Sequence, residues 1–549
     1  MTEFSRLLDE LHLEGNGDET LPPITALLSK LQQRLIGGPP DPSLLVDTVA
    51  GFFRTADPHR LFDSADGEAA LEAAYVSAVC ALIGRAALPA YERARDGPPT
   101  PDRYARVPDV AARVCAALQG LLGKVEAAGP DRRARGVLVA VAPHVCVYAI
   151  THTQEQPWTS RASREAARRL RASLLGAGSW RDCAHMLTGE RAGADGAKVG
   201  AGGILEAVLD VLRPRLTKEA WQRGDEVESA FAWTLFQVKR PSLAPHLPRL
   251  LGPALLISDH HEPKKCMLGV RCLHHIVVNT ASSELRALKR ADVMYEALVK
   301  LLYGTKNADV LQLALRCLLD LLPVLESPPS SVPAGPSPAP RRARRHDDVL
   351  RLILTHMEAE HEVALRRVYA RALPAYLERM GVSACRHLRR LGRVVPAYLE
   401  VSDAPEEVTR IFALQALECI LTAAWPRLAH SVSVWLPCLL RLLADAPSEL
   451  DTRRDVARRL SGGAARCAAL LAAAAGGRLR VSARVARRTP VKLHVRQCRV
   501  VCVRVTVHKT LCCVCLVFNS TTAICTRVKC YTTGECLTVH NTVFVCKCI

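Results

Sequence analysis

Two histidines and two glutamates lie close together between His356 and His361, in a pattern that superficially resembles the zinc-binding helix of metalloproteases. That helix needs histidines four residues apart, so that both imidazoles face one metal, and a glutamate directly after the first. Here the histidines are five residues apart and point to different sides of a helix. We therefore expect a turn between two helices with solvated charges.

The C-terminal tail holds ten of the 21 cysteines. Cys512-x-x-Cys515 has the spacing of a zinc knuckle, and Cys525 and Cys530 form a second pair. A structural zinc site needs four ligands that converge tetrahedrally, usually from two compact knuckles. Because the remaining spacings are irregular, we predict no metal and no cofactor. A small metal-binding or disulfide module in the tail stays the alternative.

Glycines crowd the segment from Gly193 to Gly203, but a phosphate-binding loop does not fit them. Such a loop needs Gly-Lys followed by Ser or Thr after a strand, whereas Val199 follows Lys198. The sequence also contains no Gly-x-Ser-x-Gly elbow and no local pairing of cysteine with histidine. We therefore predict a flexible loop here and a protein that is not an enzyme, and we place no catalytic residues.

The elements that carry these residues are predicted to be helices almost throughout. Hydrophobic residues make up 49% of the chain and aromatic residues only 5%, so the interior must be built from Leu, Ala and Val. Between Gly67 and Arg93, apolar residues such as Leu71, Tyr75 and Leu82 fall at three- and four-residue steps, which lines one face of a helix. Pro and Gly turns separate such segments and indicate stacked antiparallel helix pairs.

An internal repeat supports this architecture. The segment around Cys272 resembles the segment around Cys317, and segments starting at Glu362 and Glu407 share a similar texture; both offsets are 45 residues. HEAT and armadillo repeats have periods of about 40–47 residues. The predicted fold class is therefore all-α, a HEAT- or armadillo-like α-solenoid with an atypical Cys/Val-rich C-terminal tail. The cysteines of the helical stripes, such as Cys272 and Cys419, are expected to be small buried hydrophobes.

Composition divides the chain into four parts. Residues 1–326 are predicted to form N-terminal and central helical repeats, with a loop near 190–203. Residues 327–346 form a flexible linker rich in Pro, Ser and Arg, and residues 347–477 form C-terminal repeats. Residues 478–549 are an atypical Val/Cys/Arg tail, which we interpret as disordered or as an aberrant or alternative C-terminus. Within it, Val501 to Val507 alternate with polar residues.

The net charge of +19 is unevenly distributed. The tail from residue 478 contributes +12, so residues 1–477 carry only +7 and offer no obvious phosphate-binding surface. Met1 to Leu13 lack a signal-peptide pattern, and Gly136 to Ile150 is shorter than the roughly 20 apolar residues of a membrane span. We expect a soluble cytoplasmic protein. The basic run from Arg341 to Arg345 leaves a nuclear location open.

Four segments of the second half carry a family resemblance: Leu268 to Val277, Asp348 to Glu358, Arg366 to Pro374 and Leu388 to Glu407. They resemble the family of the second Tel-two-interacting protein, a HEAT-repeat subunit of the Triple T complex. The similarity spans roughly residues 230 to 445, and the tail beyond residue 477 departs from the family.

The resemblance implies a scaffold without catalytic residues. Triple T is a complex of three HEAT-rich proteins that helps phosphatidylinositol-3-kinase-related kinases mature, including mTOR and the DNA-damage kinases. The chain would contact its larger HEAT-repeat sibling directly. It would reach the kinases, and the ninety-kilodalton heat-shock chaperone with its adaptors, indirectly. A small-molecule substrate, a membrane and a nucleic acid are not expected as partners.

Five charged residues of the similar region are predicted partner contacts: Arg271, Arg371, Arg390, Glu406 and Glu407. Arginine and carboxylate side chains can pair across an interface, although each of the five could also be an ordinary residue of a solvated helix face. The alternative function is another HEAT-type adaptor, either karyopherin-like or a nucleic-acid-binding helical repeat. The sparse aromatics and the balanced charge of residues 1–477 argue against it.

Overall fold

The computed structural model describes residues 23–37, 43–63, 66–89, 101–189, 203–217, 225–326, 344–424, 427–428, 432–445 and 454–474, together with six strands between 479 and 546. Most of the predicted linker (residues 327–346) and most of the predicted glycine loop lie outside these ranges. The last two linker residues, Arg345 and His346, instead begin a helix of the second unit. The chain forms two compact units, Met1–Glu284 and Leu285–Ile549. Each is described by itself.

The described part of the first unit is helical. In chain order its helices are α1 (Ile24–Gly37), α2 (Ser43–Thr55), α3 (Pro58–Phe62), α4 (Glu68–Gly84), α5 (Val107–Ala127), α6 (Arg132–Thr153), α7 (Arg161–Ala177), α8 (Cys183–Thr188), α9 (Leu205–Leu212), α10 (Asp225–Gln237), α11 (Leu247–Ser258) and α12 (Pro263–Asn279). Helix α13 (Ser282–Arg286) joins the units. Packing follows two rows, since α1, α4 and α6 contact one another in turn and α2, α5 and α7 do the same.

The core between the two rows is aliphatic, as the composition predicts. In α4 the three- and four-residue steps bury Leu71, Tyr75 and Leu82. Helix α6 is long and apolar enough to cross a membrane by length and composition, yet Val137, Val141 and other side chains along it are fully buried inside the first unit. Each such aliphatic side chain contributes about 1.5–3 kcal/mol by leaving water. Helix α6 is therefore a core helix here, as expected.

One glycine sets the closest approach between helices of the first unit. A Cβ at Gly269 on α12 would lie 2.1 Å from the backbone nitrogen of Ser258 on α11. Because no side chain fits that gap, glycine at this position lets the two helices cross in direct backbone contact. Gly269 belongs to one of the segments that carry the family resemblance.

The second unit repeats the same arrangement. Its helices are α14 (Arg290–Gly304), α15 (Ala308–Leu325), α16 (Arg345–Ala359), α17 (Val363–Met380), α18 (Leu388–Glu400), α19 (Val408–Ala423), α20 (Val432–Asp445) and α21 (Arg454–Ala474). Consecutive helices pair as hairpins. Helices α16, α18 and α20 contact one another in one row, and α15, α17, α19 and α21 in the other. The all-helical, solenoid-type repeat fold predicted for the body of the chain is confirmed.

The repeat spacing is visible in the helix boundaries. Helices α12 and α15 start at Pro263 and Ala308, and α17 and α19 start at Val363 and Val408. Both separations are the 45 residues found in the sequence. Helices α17 and α19 pack directly against each other in one row, as neighbouring repeats of a solenoid do.

The structure confirms the predicted burial of Cys272 and the predicted turn after His356, but Cys419 is not fully buried. Cys272 is fully buried, and burial raises the pKa of its thiol to about 12, so it is the small hydrophobe that was predicted. Cys419 is only half-buried, with its Sγ 3.9 Å from Oε1 of Glu378. The predicted turn between His356 and His361 is confirmed, because α16 ends at Ala359 and α17 begins at Val363.

The tail carries six backbone strands: β1 (Leu479–Arg484), β2 (Arg499–Val507), β3 (Thr510–Asn519), β4 (Thr522–Thr532), β5 (Glu535–Leu537) and β6 (Val545–Cys546). They form an antiparallel sheet in the order β1 to β5, with β6 paired to β4. The period-two stretch from Val501 to Val507 lies in β2. Strands differ from the predicted disorder because this alternation is the period of a strand. An aberrant or alternative C-terminus stays a prediction.

Candidate protein interface

The five predicted contacts fall on both units. Arg271 lies on α12 of the first unit, where it is exposed and its guanidinium lies 5.6 Å from the centre of the Phe236 ring on α10. The other four belong to the second unit. The two surfaces are therefore separate subjects, and no shared site is built from them.

Arg371 is exposed on α17 and touches two neighbours in its row. Its Nη1 donates to Oε1 of Gln312 on α15 at 3.0 Å, and its guanidinium lies 5.7 Å from the centre of the Phe412 ring on α19. Both contacts leave part of the side chain in solvent. Arg371 is therefore exposed to solvent on α17, and its contact with a partner stays a prediction.

Arg390 has a different environment. Its Nε and Nη2 donate to the two carboxylate oxygens of Glu358 at 3.2 and 2.8 Å, and further bonds reach Thr355 and the carbonyl of Arg351. The hydrogen bond from Arg390 is the main cause that lowers the pKa of Glu358. A bidentate pair of this kind fixes both side chains. Arg390 thus joins α18 to α16, and these hydrogen bonds already occupy its guanidinium.

Glu406 and Glu407 are adjacent in sequence but differ in burial. Glu406 is exposed and accepts a 2.9 Å hydrogen bond from Arg367. Glu407 is 1% exposed, because its backbone adopts φ +52° and turns the side chain inward. There its carboxylate accepts hydrogen bonds from Ser402 Oγ and the backbone nitrogen of Asp403. The side chain of Glu407 therefore holds the loop before α19 and is not exposed for the contact predicted from sequence.

Asp403 is the centre of that loop. Its carboxylate accepts from Nε of Arg367 on α17 at 2.8 Å, and from the backbone nitrogen and hydroxyl of Thr409 at 3.1 and 2.9 Å. Thr409 lies in the first turn of α19, so Asp403 satisfies a backbone donor that the helix itself leaves unpaired. One buried carboxylate thus caps α19 and ties it to α17.

Ion pairs between neighbouring helices recur along the second unit, and we call this set the arginine ladder. It consists of Arg345 with Asp292, Arg386 with Asp347, Arg390 with Glu358, Arg367 with Asp403, Arg441 with Glu400 and Arg466 with Glu418. Pairs at exposed positions contribute little free energy individually. Their regular placement matches the helix rows, so the ladder aligns neighbouring repeats.

A row of aromatic rings follows one edge of the second unit. The ring of Tyr303, at the end of α14, lies 6.4 Å from the ring of His356 on α16, which stacks on Tyr369 of α17 at 5.5 Å. The guanidinium of Arg366 lies 3.9 Å from the ring of Tyr398 at the end of α18. We call these five residues the aromatic edge. Sequence analysis missed it, because its members come from four helices and meet only after packing.

The aromatic edge presents an apolar surface. Tyr303 is 70% exposed, and the nearby helix ends add the exposed side chains of Val363 and Val401. Burial lowers the pKa of the His356 imidazole, and the nearby carboxylate of Glu360 acts in the opposite direction. Among the described residues, Nε2 of His356 and the hydroxyl of Tyr398 have no hydrogen-bond partner. Tyr369 and Tyr398 are themselves buried, so Tyr303 is the exposed tyrosine ring of the edge. An exposed apolar patch of this kind is typical of a surface that a partner covers.

One small cavity lies between two helices of the second unit. This cavity, between α19 and α21 and lined by Ile411, Leu414 and Arg459 among others, has a volume of about 100 Å³, below the 300–1,000 Å³ of usual ligand pockets. Within the described ranges, no three metal-ligating side chains come together. The helix rows, their repeat spacing and their exposed edges define the class of this protein, a HEAT-type helical repeat protein.

Comparison with known proteins places the chain more closely. It is 40% identical to human TELO2-interacting protein 2 over 385 residues, which cover 69% of this chain and 73% of the relative. The mouse protein of that name is 40% identical over 360 residues, covering 65% of this chain and 68% of the relative. The chain therefore belongs to the TELO2-interacting protein 2 family. No family model matches the sequence.

Solved structures show more distant similarity. An engineered protein matches with a TM-score of 0.35 and 14% identity, over 86% of this chain and 99% of that one. The karyopherin Kap121p bound to Nup53p matches with a TM-score of 0.40 and 13% identity, over 90% of this chain and 53% of that one. At these values neither similarity says what the chain binds.

Proposed function

We propose that the chain is a non-catalytic scaffold that binds TELO2 within a Triple T complex. The proposal rests on one observation: 40% identity over 385 residues to a relative named for its interaction with TELO2. The stacked helix rows suit this role, because each repeat contacts only its neighbours and leaves long flanks for other polypeptides.

The further partners follow from the same proposal. The chain would contact the larger HEAT-repeat subunit of the complex directly. Through the assembled complex it would support the maturation of phosphatidylinositol-3-kinase-related kinases together with the heat-shock chaperone. This work would take place in the cytoplasm, with a nuclear fraction.

Within the second unit, we place the contact for the larger subunit on the aromatic edge. Tyr and Arg are the residues that most often dominate binding energy at protein interfaces. The edge supplies both, with Tyr303 largely exposed and Arg366 half-buried over the ring of Tyr398. Most arginines of the arginine ladder are already bound to carboxylates of the chain itself, so they have less to offer a partner.

Affinity purification of the tagged full chain from cells, followed by mass spectrometry, tests the proposal. We expect TELO2 and the larger subunit among the recovered proteins. Recovery of nuclear-transport cargo or nucleic acid in place of TELO2 would favour the alternative adaptor instead.

Paired variants test the surface. Tyr303→Ser with Val363→Asp should reduce recovery of the larger subunit about tenfold or more, because an interface loses a central anchor. Leu288→Ser with Val382→Asp is the matched control. Those two side chains are 84% and 65% exposed. Leu288 lies just before the start of α14, and Val382 lies just after the end of α17. Equal recovery with both double variants would show that the aromatic edge is not the contact, whatever the outcome for TELO2.

A further inference from the structure

Helix α7 of the first unit has a surface of unusual charge. Its 17 residues include five arginines and one glutamate. The buried side chains Ala166, Ala167, Leu170 and Leu174 define its inner side. On the helical period of 3.6 residues, Arg161, Arg168 and Arg169 fall on the opposite, exposed side, and Arg164 and Arg171 flank it as half-buried residues. We call the set of Arg161, Arg164, Arg168, Arg169 and Arg171 the α7 arginine face.

The arginines of this face differ in their pairing from most arginines of α5 and α6, the two helices that pack against α7. On adjoining helices, Arg113 pairs with Asp47 and Arg133 pairs with Asp63. On α7, the one ion pair among the described residues joins Arg168 to Glu165 within the helix itself, at 3.4 Å. The remaining four arginines form no ion pair with a described residue. The positive charge of the face is therefore left largely uncompensated.

The charge also opposes the helix that carries it. No acidic residue lies in the first turn of α7, where the helix dipole favours one, and Arg161 and Arg164 occupy that end instead. Arg164 and Arg168 stand four residues apart, the spacing at which like charges repel along a helix. A well-formed cap compensates, since Ser160 and Ser163 bond reciprocally to each other's backbone nitrogens. Because these charges destabilise the helix that carries them, we infer that they serve binding and not folding.

We propose that the α7 arginine face is a docking site for an acidic segment of a partner polypeptide. Charge complementarity carries the assignment. The face is about 15 Å long, the reach of roughly five residues of extended chain, so a short run of glutamates or aspartates matches it. A nucleic acid would draw on basic side chains of several elements along its path. On α5 and α6, Arg113 and Arg133 are paired with carboxylates, and Arg135 is exposed without an ion pair to a described residue, so α7 carries most of the unpaired arginines of these three helices. This site is separate from the proposed contact on the aromatic edge.

Fluorescence anisotropy with the full chain tests the proposal. The probe is a fluorescein-labelled peptide of about ten glutamates, compared with a single-stranded oligonucleotide of about ten thymidines. The test variant carries Arg161→Glu, Arg168→Glu and Arg169→Glu, three exposed positions of the face. The control carries Lys30→Glu, Arg60→Glu and Arg135→Glu, which are exposed on α1, α3 and α6. It changes the net charge by the same amount elsewhere in the first unit.

The expected result is binding of the peptide that weakens with added salt. The test variant should bind the peptide at least about tenfold more weakly, and the control should bind nearly as tightly as the original chain. No binding of the peptide at low salt, or equal loss in the two variants, would overturn the proposal. Tighter binding of the oligonucleotide than of the peptide would overturn it in favour of a nucleic-acid site.

A stability measurement keeps the result interpretable. Because the face opposes its own helix, replacing Arg164 by glutamate should raise the unfolding midpoint of the chain while binding of the peptide falls. Loss of binding with unchanged or higher stability excludes misfolding as its cause. Loss of both together would assign these arginines a structural role and overturn the proposal.

Discussion

The arginine ladder of the second unit and the α7 arginine face of the first use the same side chain for different ends. In the ladder, each guanidinium meets a carboxylate of a neighbouring helix or loop, as Arg390 meets Glu358 on α16 and Arg367 meets Asp403 in the loop before α19. On α7 four of five guanidinium groups meet no described carboxylate. A paired arginine aligns neighbouring repeats, whereas an unpaired arginine contributes a positive electrostatic potential that can attract an acidic partner. Counting charges along the sequence does not separate these two uses.

The largest expected effect comes from breaking the ladder at its most buried carboxylate. Asp403→Ala would leave Arg367 without its main partner and would uncap α19. We expect the free energy of unfolding of the second unit to fall by about 3 kcal/mol, since removing one partner of a buried pair leaves the other uncompensated. Urea denaturation followed by circular dichroism measures it. The control is Glu406→Ala, the exposed partner of the same arginine, with an expected loss of about 0.5 kcal/mol. Equal losses would contradict the central role of Asp403.

The different environments of Glu406 and Glu407 show a feature that the sequence does not predict. The 45-residue spacing and the three- and four-residue steps predict the helices, because burial of an aliphatic stripe dictates both. Glu406 is exposed and Glu407 is buried. This difference coincides with an unusual backbone conformation, φ +52° at Glu407. Composition gives no sign of it, so both were expected to be on the surface.

The aromatic edge was out of reach for a related reason. Its residues run from Tyr303 to Tyr398, and each looks unremarkable inside its own helix. Only the stacking of four helices brings the rings together. The α7 arginine face is visible in the sequence, since Arg161, Arg168 and Arg169 fall opposite the buried residues on a helical period of 3.6. A net charge summed over the whole of residues 1–477 conceals it, because acidic residues elsewhere offset these arginines.

A smaller effect is expected from an exposed rung of the ladder. Glu358→Ala removes the partner of Arg390 and of Arg393, at 2.8 and 3.0 Å. Because the carboxylate is about one-third exposed, we expect a loss of about 1 kcal/mol in the free energy of unfolding. The same urea titration measures it, with Glu360→Ala as the control in the adjoining turn. A loss as large as that of Asp403→Ala would show that the contribution of a ladder pair to stability does not depend on the exposure of its carboxylate.

The α7 arginine face should respond in the opposite direction. Arg164→Glu places an acidic residue in the first turn of α7 and four residues before Arg168. Both changes favour the helix, by about 0.5–1 kcal/mol together. Thermal unfolding should show a higher midpoint than that of the original chain, with Arg60→Glu as the control. A lower midpoint would mean that Arg164 stabilises the first unit after all, and the contrast with the ladder would fail.

The smallest expected effect is a difference in acid sensitivity. The hydrogen bond from Arg390 lowers the pKa of Glu358 below its ordinary value of 4.5. The pair therefore contributes its full stability above that value and loses it as the pH falls toward the lowered pKa of the folded state. Arginine does not titrate in this range, so the α7 arginine face keeps its charge throughout. We expect Glu358→Gln to flatten the decline in unfolding free energy between pH 6 and pH 3 by about 0.3–0.5 kcal/mol. The measurement is urea denaturation at each pH. A decline as steep in Glu358→Gln as in the original chain would show that other carboxylates, such as Asp347, account for the acid sensitivity of the ladder.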